Sequence, residues 1–137
     1  MITVLFACVQ NAGRSQMAAA FFNQVADAKL HRAISAGTKP ADRVHPIVVE
    51  AMHEAGIDLS NVKPQRLTSE LAATAQVLIT MGCGDECPIV AGIHRYDWAL
   101  PDPSGQSIEN VRVIRDQIKQ RVAQFIASEL RLRLEGR

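Results

Sequence analysis

The sequence predicts one α/β domain over residues 1–137, built on about four parallel strands in right-handed connection. Three observations carry this. Short apolar, β-branched runs alternate with runs of helical period along the chain. Glycine or proline marks most of the switches between them. The 137 residues suffice for one core, and no internal repeat, low-complexity segment or linker divides them.

Ile2 to Ala7 is apolar almost throughout and reads as a buried parallel strand. From Ser15 to about Ala28 the period becomes helical, with Met17, Phe21 and Val25 forming the apolar stripe among Ala18, Ala19 and Ala20. Arg32 to Ala36 reads as the second strand, closed by Gly37 and a loop through Pro40. Pro46 suits the first turn of a helix carrying Val48, Val49 and Met52, which Gly56 ends. Pro64 breaks the chain again, and a short helix is expected from Leu67 to Ala73. Gln76 to Thr80 is the clearest third strand, Gly82 to Pro88 a loop, and Ile93 to Tyr96 a weaker strand. The last helix has the strongest signal: Ile108, Val111, Ile114, Ile118, Val122 and Phe125 keep a 3–4 spacing.

Apolar residues at 47% and charged ones at 21% describe an ordinary globular chain. A formal charge of +1, with only a mildly basic end from Arg131 to Arg137, argues against a nucleic-acid binder. No apolar run approaches the length of a membrane span. The opening strand is too short for a signal-peptide core, so a cytoplasmic location is expected. In that reducing compartment Cys8, Cys83 and Cys87 are reactive or metal-binding thiols more often than a disulfide framework. Cys83 and Cys87 taken alone could equally be a buried pair or half a zinc site with His94. His31, His45, His53 and His94 read as structural or surface residues.

The stretch Cys8-Val9-Gln10-Asn11-Ala12-Gly13-Arg14-Ser15 joins the first strand to the first helix. Open α/β sheets bind ligands at the carboxyl ends of their strands. A loop entering a helix offers unpaired N–H groups and the positive end of the helix dipole, which favour a bound anion and a thiolate. Gly13 is expected to supply a positive φ in this nest. Arg14 can fork two hydrogen bonds onto two oxygens of an anion. The Ser15 hydroxyl can donate to the Cys8 sulfur, and the Asn11 amide can tie the loop together. Spacing alone leaves open a buried, inert cysteine followed by a helix.

Taken with Ser35-Ala36-Gly37-Thr38, Met52 to Leu59, Thr80-Met81-Gly82-Cys83 and Asp102-Pro103-Ser104-Gly105, this stretch resembles the low-molecular-weight protein tyrosine phosphatase family. Within it, Arg14-Ser15-Gln16-Met17 is typical of the arsenate reductase branch. The resemblance implies a three-layer sandwich, with Cys8 as nucleophile, Arg14 on the oxyanion, Asn11 and Ser15 organising the thiolate, and Asp102 as general acid. It implies substrate contacts from Val9, Gln10, Asn11, Ala12, Gly13, Arg14 and Ser15. No aromatic residue follows Asp102-Pro103 to grip a phosphotyrosine ring, so a small inorganic oxyanion such as arsenate fits better, with phosphate or sulfate as mimics. A hydrolytic phosphatase is the alternative reading, and an anion- or redox-sensing module a third.

Arsenate reduction needs two electrons, and no flavin or nicotinamide motif is visible, so no bound cofactor is expected. The resemblance implies a disulfide relay through two further thiols to an external thiol reductant. Cys83, closer to the end of the third strand, is assigned as the second thiol and Cys87 as the third, with their order of use left open. Thioredoxin is preferred, a glutaredoxin or low-molecular-weight thiol the rival. Gly82 and Gly84 flank Cys83 and would leave that loop free to move. These two cysteines stand four positions apart, against seven in thioredoxin-coupled members. Some members bind potassium through an Asn, a Ser and two acidic residues; Asn11 and Ser35 match, but Ala19 and Gln65 stand at the acidic positions, so no metal is expected.

Overall fold

The computed structural model describes residues 1–82 and 92–130. Among these the chain runs β1 (Ile2–Cys8), α1 (Arg14–Val25), β2 (His31–Gly37), α2 (Pro46–Glu54), α3 (Ser69–Ala73), β3 (Val77–Thr80), β4 (His94–Asp97) and α4 (Ile108–Gln124). The strands form one sheet in the order β2-β1-β3-β4, every neighbouring pair parallel. The central strand β1 aligns Ala7 with Ala36 on one side and Thr80 on the other. Three strand ends are thus brought level around Cys8.

Side chains alternate across a strand, and both faces of β1 are covered. Ile2, Val4, Phe6 and Cys8 pack into the larger core with α1, α2 and α4. Leu5 and Ala7 pack with Leu67, Ala72, Ala75 and Leu78 on the α3 side. This double burial is why β1 reads as a continuous apolar run, and it makes three layers. Phe6, Phe21 and Phe22 are fully buried, each contributing roughly 2–3 kcal/mol of apolar burial. Trp98 lies between Phe6 and Phe125, at centroid distances of 5.8 and 6.0 Å, with the Arg121 guanidinium 5.2 Å from its ring.

Several boundaries differ from expectation for local reasons. Val25, expected on the buried stripe of α1, is 54% exposed, and Phe22 takes the inward position beside Phe6. The helix ends at Val25 because Ala26 is already extended. Leu67 does not open α3: its N–H donates to the Gly37 carbonyl at 2.8 Å, and Thr68 caps the helix by accepting from the Leu71 N–H. After α4 the chain continues as a π-helical turn over Phe125–Leu130. Its i→i+5 bonding brings residues five apart onto one side, so Phe125 and Leu130 are both buried. Glu54 at the end of α2 is gripped by Arg112 (2.9 and 2.7 Å) and Arg115 (3.0 Å) of α4, which hold its carboxyl down at about 2.

His31 is buried at the start of β2, edge-on to Phe22, and neither ring nitrogen has a hydrogen-bond partner among the described residues. Desolvation holds its pKa below the ordinary 6.5, with nearby Asp27 opposing and the amino terminus reinforcing. The fold therefore favours the neutral ring. Its stability contribution is complete above about pH 6.5 and is lost as pH falls toward the folded-state value. The melting temperature should drop between pH 7 and pH 5 by more in the native chain than in a His31→Leu variant. Parallel curves would show that His31 does not titrate with unfolding.

Candidate active site

The loop after β1 is shaped by its carbonyl groups. Those of Cys8, Val9, Gln10 and Ala12 accept from the backbone N–H groups of Thr38, Lys39, Ala41 and His45, at 2.8–3.2 Å. The Asn11 carbonyl accepts from the Gln16 side chain at 3.1 Å, and that of Gly13 from the Met17 N–H at 3.0 Å. In a trans peptide the C=O and the following N–H point opposite ways. Six engaged carbonyls thus turn the N–H groups of residues 9 to 14 away from these partners and toward the concavity over Cys8. Helix α1 has no side-chain cap, so its first N–H groups remain available to an anion.

A directed chain of hydrogen bonds reaches the cysteine. The Gln65 backbone N–H and the Gln16 side chain both donate to Asn11 Oδ1, each at 3.0 Å. Asn11 Nδ2 donates to Ser15 Oγ at 2.7 Å, and Ser15 Oγ lies 2.8 Å from Cys8 Sγ. With its oxygen accepting from Asn11, the Ser15 hydroxyl is set to give its proton toward the sulfur. Asn11 and Ser15 are fully buried.

Gly13 has φ −145°, so the expected positive φ is not there; Asn11 carries it, at 51°. Buried amide bonds on both ends of the Asn11 side chain hold that residue in the left-handed region. Gly13 is required for a different reason: a Cβ there would lie 2.8 Å from Pro103 Cγ. The bare glycine lets the Asp102-Pro103 turn close over the loop. Asp102 is held by the Ser104 N–H at 2.9 Å, and its Oδ2 lies 3.8 Å from Arg14 Nη2. Arg14 Nη1 donates to the Leu100 carbonyl at 3.1 Å. Cys8, Val9, Gln10, Ala12, Gly13 and Arg14 line a small open pocket together with His45 and Asp102.

A profile of the low molecular weight phosphotyrosine protein phosphatase family matches residues 3–134. The chain belongs to that family. Among the low molecular weight phosphatase relatives, it is 43% identical over 121 residues to a Halobacterium salinarum protein assigned as a putative arsenate reductase, covering 85% of each chain. It is 37% identical to the glutaredoxin arsenate reductase of Synechocystis, over 93% of this chain and 98% of that one. Its fold is similar to the thioredoxin-dependent arsenate reductase of Corynebacterium glutamicum, with TM-score 0.79 and 37% identity over 93% of this chain. It spans 61% of that protein's length.

On this low molecular weight phosphatase scaffold, Cys8, Arg14, Asp102 and the loop residues from Val9 to Ser15 converge at one end of the sheet. Cys83 and Cys87 lie outside the described residues. Gly82, just before them, is described: it follows β3 with φ +102° and lies against the Arg14 guanidinium. His45, which reads in the sequence as structural or surface, lines the pocket. It precedes Pro46 at the start of α2, and its N–H pairs with the Ala12 carbonyl of the loop. At the positions compared with a potassium site, Gln65 donates through its N–H to Asn11 and through Nε2 to the Ser35 carbonyl at 2.8 Å, while Ala19 is buried. Among the described residues no cluster of His, Cys, Asp and Glu could hold a metal ion. No described helix is long and apolar enough to cross a membrane.

Proposed function

We propose that the chain is an arsenate reductase, with Cys8 as nucleophile and Cys83 and Cys87 as relay thiols. The observation that carries this over an aryl phosphatase is the absence of an aromatic wall. All six aromatic residues are committed elsewhere: Phe6, Phe21, Phe22, Trp98 and Phe125 are buried in the core, and Tyr96 packs edge-on to Phe125 at 5.4 Å. A small pocket lined by Cys8, Arg14 and Asp102 suits a tetrahedral oxyanion. The Halobacterium, Synechocystis and Corynebacterium relatives support the same substrate.

In the proposed reaction the Cys8 thiolate attacks arsenic while Asp102 protonates the departing hydroxide, giving water and a Cys8–arsenate adduct. The Cys83 thiolate then attacks the Cys8 sulfur. An S–S bond forms, the S–As bond breaks, and its electron pair reduces arsenic to arsenite. The Cys87 thiolate attacks the Cys83 sulfur and releases Cys8 as thiolate, leaving a Cys83–Cys87 disulfide for an external dithiol. Thioredoxin is the proposed reductant; the Corynebacterium relative is named for it and the Synechocystis one for glutaredoxin.

The test measures arsenite formed with thioredoxin, its reductase and NADPH, beside a glutaredoxin–glutathione arm and an aryl phosphate. Cys83→Ser and Cys87→Ser should each lose multiple turnover while keeping any slow ester hydrolysis. Normal turnover by Cys87→Ser with thioredoxin would overturn the relay. Aryl-phosphate hydrolysis exceeding arsenate reduction would favour the phosphatase.

A further inference from the structure

We propose that Gly82 is a positioning residue for the oxyanion, because the side chain it lacks is the seat of the Arg14 guanidinium. The inference rests on the reading of Arg14 as the oxyanion's partner. Gly82 sits two residues beyond β3, and its φ of +102° is a conformation side chains rarely adopt. A Cβ there would stand inside van der Waals contact with Arg14 Nη1, 3.0 Å from Cζ and 3.2 Å from Nη2. The whole guanidinium thus lies over the bare backbone of this one residue. From the other side Nη1 is tied to the Leu100 carbonyl at 3.1 Å, and Nη2 stands 3.8 Å from Asp102.

Arg14 is 11% exposed, and its guanidinium is the free end of a flexible side chain that lines the pocket. A side chain at position 82 is therefore accommodated by shifting the guanidinium from its place beside the Leu100 carbonyl. The position is distinct in this respect from Gly56, which has a similar φ of +83° but no atom within 4 Å of where a methyl would stand. Strain at Gly56 and strain plus displacement at Gly82 can therefore be separated. The network that organises the Cys8 thiol runs through Ser15, Asn11, Gln16 and Gln65, whereas the three atoms nearest a Cβ at Gly82 all belong to Arg14. Anion affinity and thiol reactivity should respond differently.

The experiment measures protection of Cys8 from iodoacetamide by inorganic phosphate, read at the Cys8 peptide by mass spectrometry, in native protein, Gly82→Ala, Gly56→Ala, Arg14→Ala and the Gly82→Ala/Arg14→Ala pair. Gly82→Ala should weaken phosphate protection by about tenfold, the loss of one charge-assisted contact, with alkylation in the absence of phosphate changed by less than about twofold. Gly56→Ala should change neither, and Gly82→Ala should add nothing once Arg14 is absent. Wild-type phosphate protection in Gly82→Ala, or an equal loss in the Arg14→Ala background, would overturn the proposal. If Arg14→Ala itself keeps full protection, it is the underlying reading of Arg14 that falls. Melting temperatures of the same set give a second readout: Gly82→Ala should destabilise more with Arg14 than with alanine at position 14. Unfolding in both backgrounds would show that the clash is not with Arg14.

Discussion

A Cys8→Ser variant should form no measurable arsenite from arsenate, a loss on the order of 10⁴-fold or more. Two independent deficits combine. The serine hydroxyl stays protonated at neutral pH, and the Ser15 hydroxyl that would stabilise a thiolate 2.8 Å away has no anion to meet. Beyond that, an oxygen at position 8 can neither accept a second thiol nor release its electron pair to arsenic, so even a captured substrate would not be reduced. The substitution is close to isosteric in a strand buried on both faces, and the melting temperature should move by only a few degrees. Arsenite production in a thioredoxin-coupled assay checks this. Sustained turnover by the serine variant would remove Cys8 from the reaction.

Arg14→Lys is expected to lower kcat/KM for arsenate by about 100-fold, although charge is conserved. Nη1 holds the Leu100 carbonyl, which fixes the plane of a guanidinium that also lines the pocket. A lysine ammonium can reach the carbonyl or the anion, not both in a fixed geometry. Inhibition by phosphate should weaken alongside, since phosphate presents the same oxygens. A large loss of turnover with unchanged phosphate inhibition would place the role of Arg14 after binding.

Much of this fold is legible in the sequence because its signals are local. The double burial of β1 is written as seven consecutive residues with little polarity, and the α4 stripe holds in the structure, with Val111, Ile114, Ile118 and Val122 all buried. Sequence and structure part where tertiary packing decides between adjacent residues. Phe22 and Val25 both fit a helical stripe with Phe21, and only contact with Phe6 and His31 selects Phe22. The π-helical turn leaves no propensity signal because its reason is the core position of Leu130.

In the site, Cys8, Asn11, Arg14 and Ser15 are readable as a contiguous motif, whereas Asp102 is readable only through the family resemblance, since Asp-Pro by itself reads as a turn. The motif suggests Gly13 for its φ, whereas the glycine is needed for the approach of Pro103, a packing requirement from the far end of the chain that no local pattern reveals. His45 carries no motif at all, yet it lines the pocket and its N–H pairs with the loop. Gly82 reads in the sequence as freedom for the loop, whereas its lack of a side chain makes room for Arg14.

Trp98 has a consequence of a different kind. It is the single tryptophan, 6% exposed, wedged between Phe6 and Phe125. Phe6 precedes Cys8 by two residues on β1, and Trp98 precedes Asp102 by four, Cys8 and Asp102 both lining the pocket. All indole emission therefore originates from one dry point joining the strand of the sulfur to the segment of the carboxyl. Any shift between those two segments changes the colour or the quantum yield of that one fluorophore, so the protein carries an intrinsic optical gauge of its own reactive end.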